Sequence, residues 1–550
     1  MPPSSETVPG KPQSEGVLPE VSVAMEGPLP PDILEAWEID DHRRTPSECS
    51  PASGADGDKA AQLLQLYIAF VNKMEATRPE ILRGVRVWKL LRRLPWAWLR
   101  GQLNELHSLS QEAATLDQFW SHSWQGAWWA KFTNILYLHS CLPASVAGTV
   151  SASVAFGLIS AGLLGALRTW CMLFGFVAFC ITLLLWCPRK LVFLDIVCIH
   201  QTDEERKGEA IMSMGAFLKQ SKSMLVLWDP TWVTRLWCVF ELAAFLHSHR
   251  PDGEAALQIV PPLLGPAFLG SEMLMWGAAM IYSYMESFVI SEGSILVGFQ
   301  HLPLSASIAL PLISLVTHAV RRYASSVYTL QEQLRVFKVG ETLSACCANG
   351  HEDEPDSLCD RAIILECIVA WYKSVDSFEM QVQTEVRRVI VDQLAYGAIS
   401  YQRILVLSTP FIWFRLEQTA SYSSDPLQQV VYLVQSLTHF LAIFPLMDKL
   451  VFRLCFRLRA RCRNLCLDFF VSMAIVIAAF SFYAACYAIQ IYVFRQHDRG
   501  GDDRGLLLSV ISLLSWCTVT AILLRREPQR CFGCWSQKPC TSNSEHSNDP

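Results

Sequence analysis

Eight apolar runs, grouped as four close pairs, constrain this chain more than any other feature. They span 144–167 and 170–187, 264–285 and 295–320, 404–416 and 428–447, and 470–494 and 505–524. About twenty apolar residues in a helix cross a ~30 Å hydrocarbon layer, and all but 404–416 approach that length. A backbone in lipid must satisfy its own polar groups, so such runs are expected to be helices, paired here as hairpins. Composition agrees, because only 17% of residues are charged, against about a quarter in a soluble domain. The net charge of −6 carries no basic surplus, which argues against a nucleic-acid binder. Nineteen cysteines are scattered, several inside apolar runs, as in a reduced protein with no disulfide framework.

Charge placement orders the hairpins. Their bases carry Arg189 and Lys190, Arg321 and Arg322, Lys449 to Arg463, and Arg525 and Arg526. Their tips carry Arg168, then Glu286 and Glu292, then Glu417 and Asp425, and last a balanced Arg/Asp cluster. Positive charge retained on one side marks cytoplasmic loops, which places both termini and all large loops in the cytosol. The domain plan follows. Residues 1–60, with ten prolines and twelve acids against four bases, read as a disordered acidic tail. Residues 61–114 read as a helical segment in which Arg83, Arg86, Lys89, Arg92, Arg93 and Arg100 interleave with Trp88, Trp96 and Trp98. That segment is either an interfacial surface or a solvated face. Residues 321–400 read as a second cytosolic helical segment, and 525–550 as a tail with Cys531, Cys534 and Cys540 close to the membrane. Such cysteines are candidates for palmitoylation, with free thiols as the alternative.

Chemistry concentrates in two pieces, 115–142 and 188–262, separated by the first hairpin at 143–187. The first opens on Asp117-Gln-Phe-Trp-Ser-His-Ser-Trp124 and continues as a helix. The second runs through an apolar strand ending at Asp195, a polar loop with His200, a helix over 207–220, and a strand over 223–228. It then passes through the turn at Asp229, a helix over 235–247, and a last strand near 257–261. Strand–helix alternation predicts right-handed crossovers and a parallel sheet. Ligands in such sheets sit at the carboxyl ends of the strands. Those ends are Ser121–Trp124, Asp195–Glu205 and Trp228–Thr231, which hold Ser121, His122, Trp124, Asp195 and Asp229.

These residues carry a resemblance. Phe193-Leu-Asp195, Glu209 to Ser221, Met224–Trp228 and above all Leu236-Trp-Cys-Val-Phe-Glu-Leu242 resemble the Toll/interleukin-1 receptor (TIR) domain, with Phe119-Trp-Ser-His-Ser123 similar to its first strand. The arrangement is similar to multi-pass TIR-like proteins of dinoflagellate-type protists. The fold expected from the resemblance is a multi-pass α-helical membrane protein with an interrupted cytosolic α/β domain, flavodoxin-like and TIR-like. Two departures stand out: a hairpin interrupts the domain, and the final TIR strand and helix are missing or replaced. In the catalytic branch of that family the resemblance implies NAD as substrate, cleaved at the nicotinamide–ribose bond, with Glu241 as the matching carboxylate. Its task there is to bind ribose hydroxyls and steady an oxocarbenium-like transition state. Other TIR domains only assemble, so self-association without catalysis stays open.

The residues themselves add to this. Glu241 is the only acidic or basic side chain between Leu236 and Leu246, so it needs a raised pKa or a specific partner, for which Arg235 is one candidate. His122, Asp195 and His200 read as metal ligands, acid–base groups or loop-structuring side chains. Trp124 and Trp237 read as stacking platforms for a substrate or as core aromatics. Cys346, Cys347, His351 and Cys359 form a candidate zinc site, with free loop thiols as the alternative. A channel or transporter is a further rival, for which Glu272 is the only acid inside a span.

Overall fold

A computed structural model describes residues 65–123, 126–165, 169–249, 256–291, 295–344, 359–395, 400–422, 425–462, 464–500 and 504–525. The acidic tail, Trp124, the cluster Cys346, Cys347 and His351, and the cysteine tail after 525 lie outside these residues. The described chain is mostly helical, with one small mixed sheet.

The sheet has six strands in the order β2-β1-β4-β3-β5-β6. They are β1 (Arg83–Arg86), β2 (Gln111–Glu112), β3 (Gln118–His122), β4 (Leu191–Phe193), β5 (Met224–Leu227) and β6 (Leu257–Val260). The four strands β4, β3, β5 and β6 are parallel, with Phe119 opposite both Phe193 and Met224, and Leu225 opposite Gln258. All four residues of β5 are buried, as expected for a parallel strand covered on both faces. β1 and β2 are antiparallel additions, pairing Val85 with Val192 and Gly84 with Gln111. Two expectations are corrected here: the sheet is mixed, and 61–114 contributes strands as well as a helix. The reason is the open edge of β4, whose backbone groups need partners. Gly84 fits that edge because a Cβ there would meet Leu191 at 2.9 Å.

Alternation along β3 sends Phe119 and Ser121 to one face and Trp120 and His122 to the other. On the first face Phe119 stacks on Phe193, which packs on Phe217. That face is covered by helices that follow β4 and β5. The basic α1 (Val87–Arg100) precedes them in sequence. On the second face Trp120 stacks on His139, which lies in the wide helical turn between α2 (Trp128–Leu136) and α3 (Leu142–Ser160). α2 and α3 form one continuous helical run of 33 residues, so the first apolar helix grows directly out of the sheet domain. α4 (Trp170–Leu185) returns antiparallel to it and leads into β4. The expected single helix over 207–220 is split into α5 (Glu204–Met212) and α6 (Met214–Lys219), because Ser213 breaks the run. α7 (Leu236–His249) carries Glu241.

The remaining described residues are mainly helical. It comprises α8 (Leu264–Ser291), α9 (Ile295–Arg335), α10 (Asp360–Tyr372), α11 (Val375–Gln381), α12 (Arg387–Ala395), α13 (Tyr401–Leu407) and α14 (Thr409–Ala420). It ends with α15 (Pro426–Thr438), α16 (Phe444–Arg457), α17 (Leu465–Gly500) and α18 (Arg504–Arg525). Among the described residues, five helices are long and apolar enough to cross a membrane: Trp128–Ser160, Leu264–Ser283, Pro426–Arg457, Leu465–Gln490 and Gly505–Leu523. This is the make-up of an integral helical membrane protein. α4 is apolar but shorter, and the weak run at 404–416 is divided between α13 and α14 at Ser408. The two glycines Gly148 and Gly175 let α3 and α4 approach Trp413, which is fully buried. Glu272 accepts a hydrogen bond from Thr409 on α14, which gives this acid a structural partner.

The helices of 359–395 pack on α7. The Tyr372 hydroxyl donates to the Ala243 carbonyl at 2.8 Å, and Trp371 packs against Phe240 and His247. The amide of Gln393 on α12 donates to Leu257 O and accepts from Ile259 N–H. It thus occupies the outer edge of β6 like one more strand residue, protecting an edge that would otherwise be open.

Candidate functional site

Glu241 lies at the carboxyl end of the parallel strands, where β3 is flanked by β4 and β5. Its partner is Ser121, not Arg235. The Ser121 hydroxyl donates to Glu241 Oε2 at 2.5 Å and accepts from Trp232 Nε1 at 2.9 Å. Strand alternation explains the meeting, since Ser121 is on the β3 face that α7 covers. Glu241 is partly buried. Burial pushes its carboxyl up, the Ser121 bond pulls it partly back, and the Asp195 charge raises it again, to about 8.

On the opposite face of β3, His122 Nε2 lies 3.1 Å from Asp195 Oδ1, and its Nδ1 lies 3.1 Å from the Ser123 carbonyl. Burial opposes the charged imidazole, but the Asp195 charge and hydrogen bond outweigh it and the His122 pKa is raised. Burial likewise opposes the Asp195 carboxylate, yet His122 and the Ile196 N–H hold its pKa below the usual value. Both shifts favour the charged form of each partner. Asp195 also starts the helical turn that follows β4, which fixes its position.

A third group joins the same end of the sheet. Asp229 is buried and accepts from Ser123 Oγ, from Thr231 N–H at 2.9 Å and from Thr231 Oγ1 at 2.5 Å. Lys131 lies 3.7 Å from Asp229 and donates to the Ser123 carbonyl. The site is therefore a row of carboxylates, Glu241, Asp195 and Asp229, held by Ser121, His122 and Ser123, three consecutive residues at the end of β3.

Of the residues singled out from sequence, Ser121, His122, Asp195, Asp229 and Glu241 converge. The Trp237 indole donates to Asp360 at 3.1 Å. Its ring packs edge-on against Phe240. His200 is apart from the cluster, accepting from Asp203 N–H and contacting the His107 ring. Cys359, the described member of the candidate zinc set, precedes α10. Among the described residues no group of three or more His, Cys, Asp or Glu is arranged to hold a metal ion. Sequence reasoning did not single out Ser123 or Thr231, which lie within the strand ends it marked, and it missed Lys131 and Trp232 as members of the site. Thr231 carried a signal, because an Asp-Pro-Thr turn places a hydroxyl two residues after the acid. Lys131 carried none, since its partner is 98 positions away in the chain. No family model, curated protein or solved structure matches this chain.

Proposed function

We propose that this protein is a membrane-anchored signalling protein with a TIR-like cytosolic domain, in which Glu241 serves the cleavage of NAD at the nicotinamide–ribose bond. The strand order β4-β3-β5-β6 of the parallel core supports the flavodoxin-like part of this reading, because it is the 2-1-3-4 order of that fold. The observation that carries the proposal is the placement of Glu241. It sits at the switch point of the sheet, oriented by Ser121 and ionising near neutral pH. In the reaction the glycosidic C–N bond breaks and its electron pair leaves with nicotinamide, which departs neutral. The ribosyl cation so formed takes up water and releases one proton, giving ADP-ribose. An ionised Glu241 would steady that cation and accept hydrogen bonds from the ribose hydroxyls. The cationic nicotinamide ring would itself favour the ionised form on binding.

The test is NAD consumption by the full chain in nanodiscs, wild type beside Glu241→Gln. Loss of charge stabilisation predicts a turnover lower by about 10²–10³ with unchanged melting at acidic pH. Equal turnover in the two proteins rejects the assignment. A non-catalytic scaffold that self-associates through the same domain is the second reading. It is favoured by the way Ser121, Ser123 and Thr231 already bond the carboxylates within the fold. No turnover in either protein, with chemical cross-links between chains, would select it.

A further inference from the structure

The opposite end of the strands from Glu241 holds a cavity of about 250 Å³. We infer that this cavity is a binding site for a phosphate group. Gln118 opens β3, Lys190 directly precedes β4 and Gln258 lies in β6, so the sheet supplies one wall from its amino ends. Tyr137 and His139 supply a second wall from the turn between α2 and α3, and Arg403 a third from α13.

Three observations point to an anion. First, the lining brings together two permanent cations, Lys190 and Arg403, and contains no Asp or Glu. Second, the Nε2 of His139 is buried with no hydrogen-bond partner among the described residues, while its ring is held against Trp120. Third, Gln118 is buried and its Oε1 accepts from Trp120 Nε1 at 2.9 Å. An indole nitrogen only donates, so the amide oxygen is consumed and the Gln118 NH₂ is the group left for a ligand. Cations and N–H donors without an acid suit phosphate oxygens.

The volume exceeds a simple halide, and Leu138, Leu142 and Val406 give the cavity an apolar flank. That flank adjoins the apolar start of α3, where Leu142 is 45% exposed. If α3 is in a bilayer, a phospholipid headgroup reaches this position with its glycerol against the flank. A soluble phosphate ester offers the same oxygens. Basic pockets beside membrane helices are a known mode of headgroup binding.

The experiment uses the full chain in nanodiscs of neutral lipid. Dioleoyl phosphatidic acid and, separately, inorganic phosphate and glycerol phosphate are titrated while the melting temperature is followed. The wild type is expected to be stabilised saturably by at least one of these probes. Lys190→Gln, at an exposed position, should fold normally and bind on the order of tenfold more weakly. The pair Lys190→Gln and Arg403→Gln should abolish the shift. Stabilisation by phosphatidic acid alone assigns the lipid source, and stabilisation by the soluble phosphates assigns the other. No shift with any probe, or an equal shift in wild type and Lys190→Gln, overturns the inference.

Discussion

Replacing Glu241 by Gln keeps the side-chain shape and the acceptor for Ser121 while removing one titration. Burial, against the Ser121 bond and with the Asp195 charge, raises this carboxyl from 4.5 to about 8. The folded chain therefore holds a proton that the unfolded chain gives up at lower pH. Below the unfolded value both states are protonated and Glu241 makes no difference. Between pH 4.5 and about 8 each increment favours the unfolded chain, and above that range the loss is complete and constant. The full displacement corresponds to roughly 5 kcal/mol, reduced to about 2 kcal/mol once the partial exposure of the side chain is allowed for. The Gln variant escapes this loss. The assay is thermal unfolding of detergent-solubilised wild type and Glu241→Gln at about pH 5 and about pH 9. The two should melt together at the acidic value, and the variant should melt higher at the alkaline one. A constant gap at both values would show that Glu241 is not held neutral by its surroundings and would refute the reasoning.

Arg321 is buried and donates to Asp468 Oδ1 at 2.9 Å, Asp468 O at 2.6 Å, Ser472 Oγ at 3.0 Å, Leu458 O at 2.9 Å and Ala460 O at 3.1 Å. Asp468→Asn leaves that guanidinium without its counter-charge and should cost about 3–5 kcal/mol. The double variant Arg321→Met with Asp468→Leu should recover much of the loss in a melting assay. Between α3 and α4, a Cβ on Gly175 would lie 2.6 Å from the Trp413 ring. Gly175→Val should therefore lower stability by about 1–3 kcal/mol, and adding Trp413→Leu should relieve part of it.

Much of this chain was legible from local pattern. The apolar runs read as helices because length and hydropathy are properties of a contiguous segment, and α8, α15–α16, α17 and α18 follow that reading. β3, β4 and β5 were legible for the same reason, as short apolar runs between polar turns, and Glu241 stood out as an acid in an apolar helix. A carboxylate in that setting must have its environment arranged for it, so its chemical importance could be argued before any partner was known.

Who the partners are was decided only by the folded chain. Ser121 meets Glu241 across 120 positions, and Arg321 meets Asp468 across 147. Such pairings depend on where the chain returns, and neither segment carries a periodic trace of the other. The same holds for β1, which looks like part of a basic helix until the open edge of β4 gives its backbone a partner. It holds as well for the fusion of α2 with α3, where the helix runs on through the wide turn at 137–141 and past Pro143 into the apolar run. Periodicity reports which face of one element is apolar. Hydrogen-bond satisfaction, which closes edges and pairs buried charges, is a property of the whole fold and is settled only there.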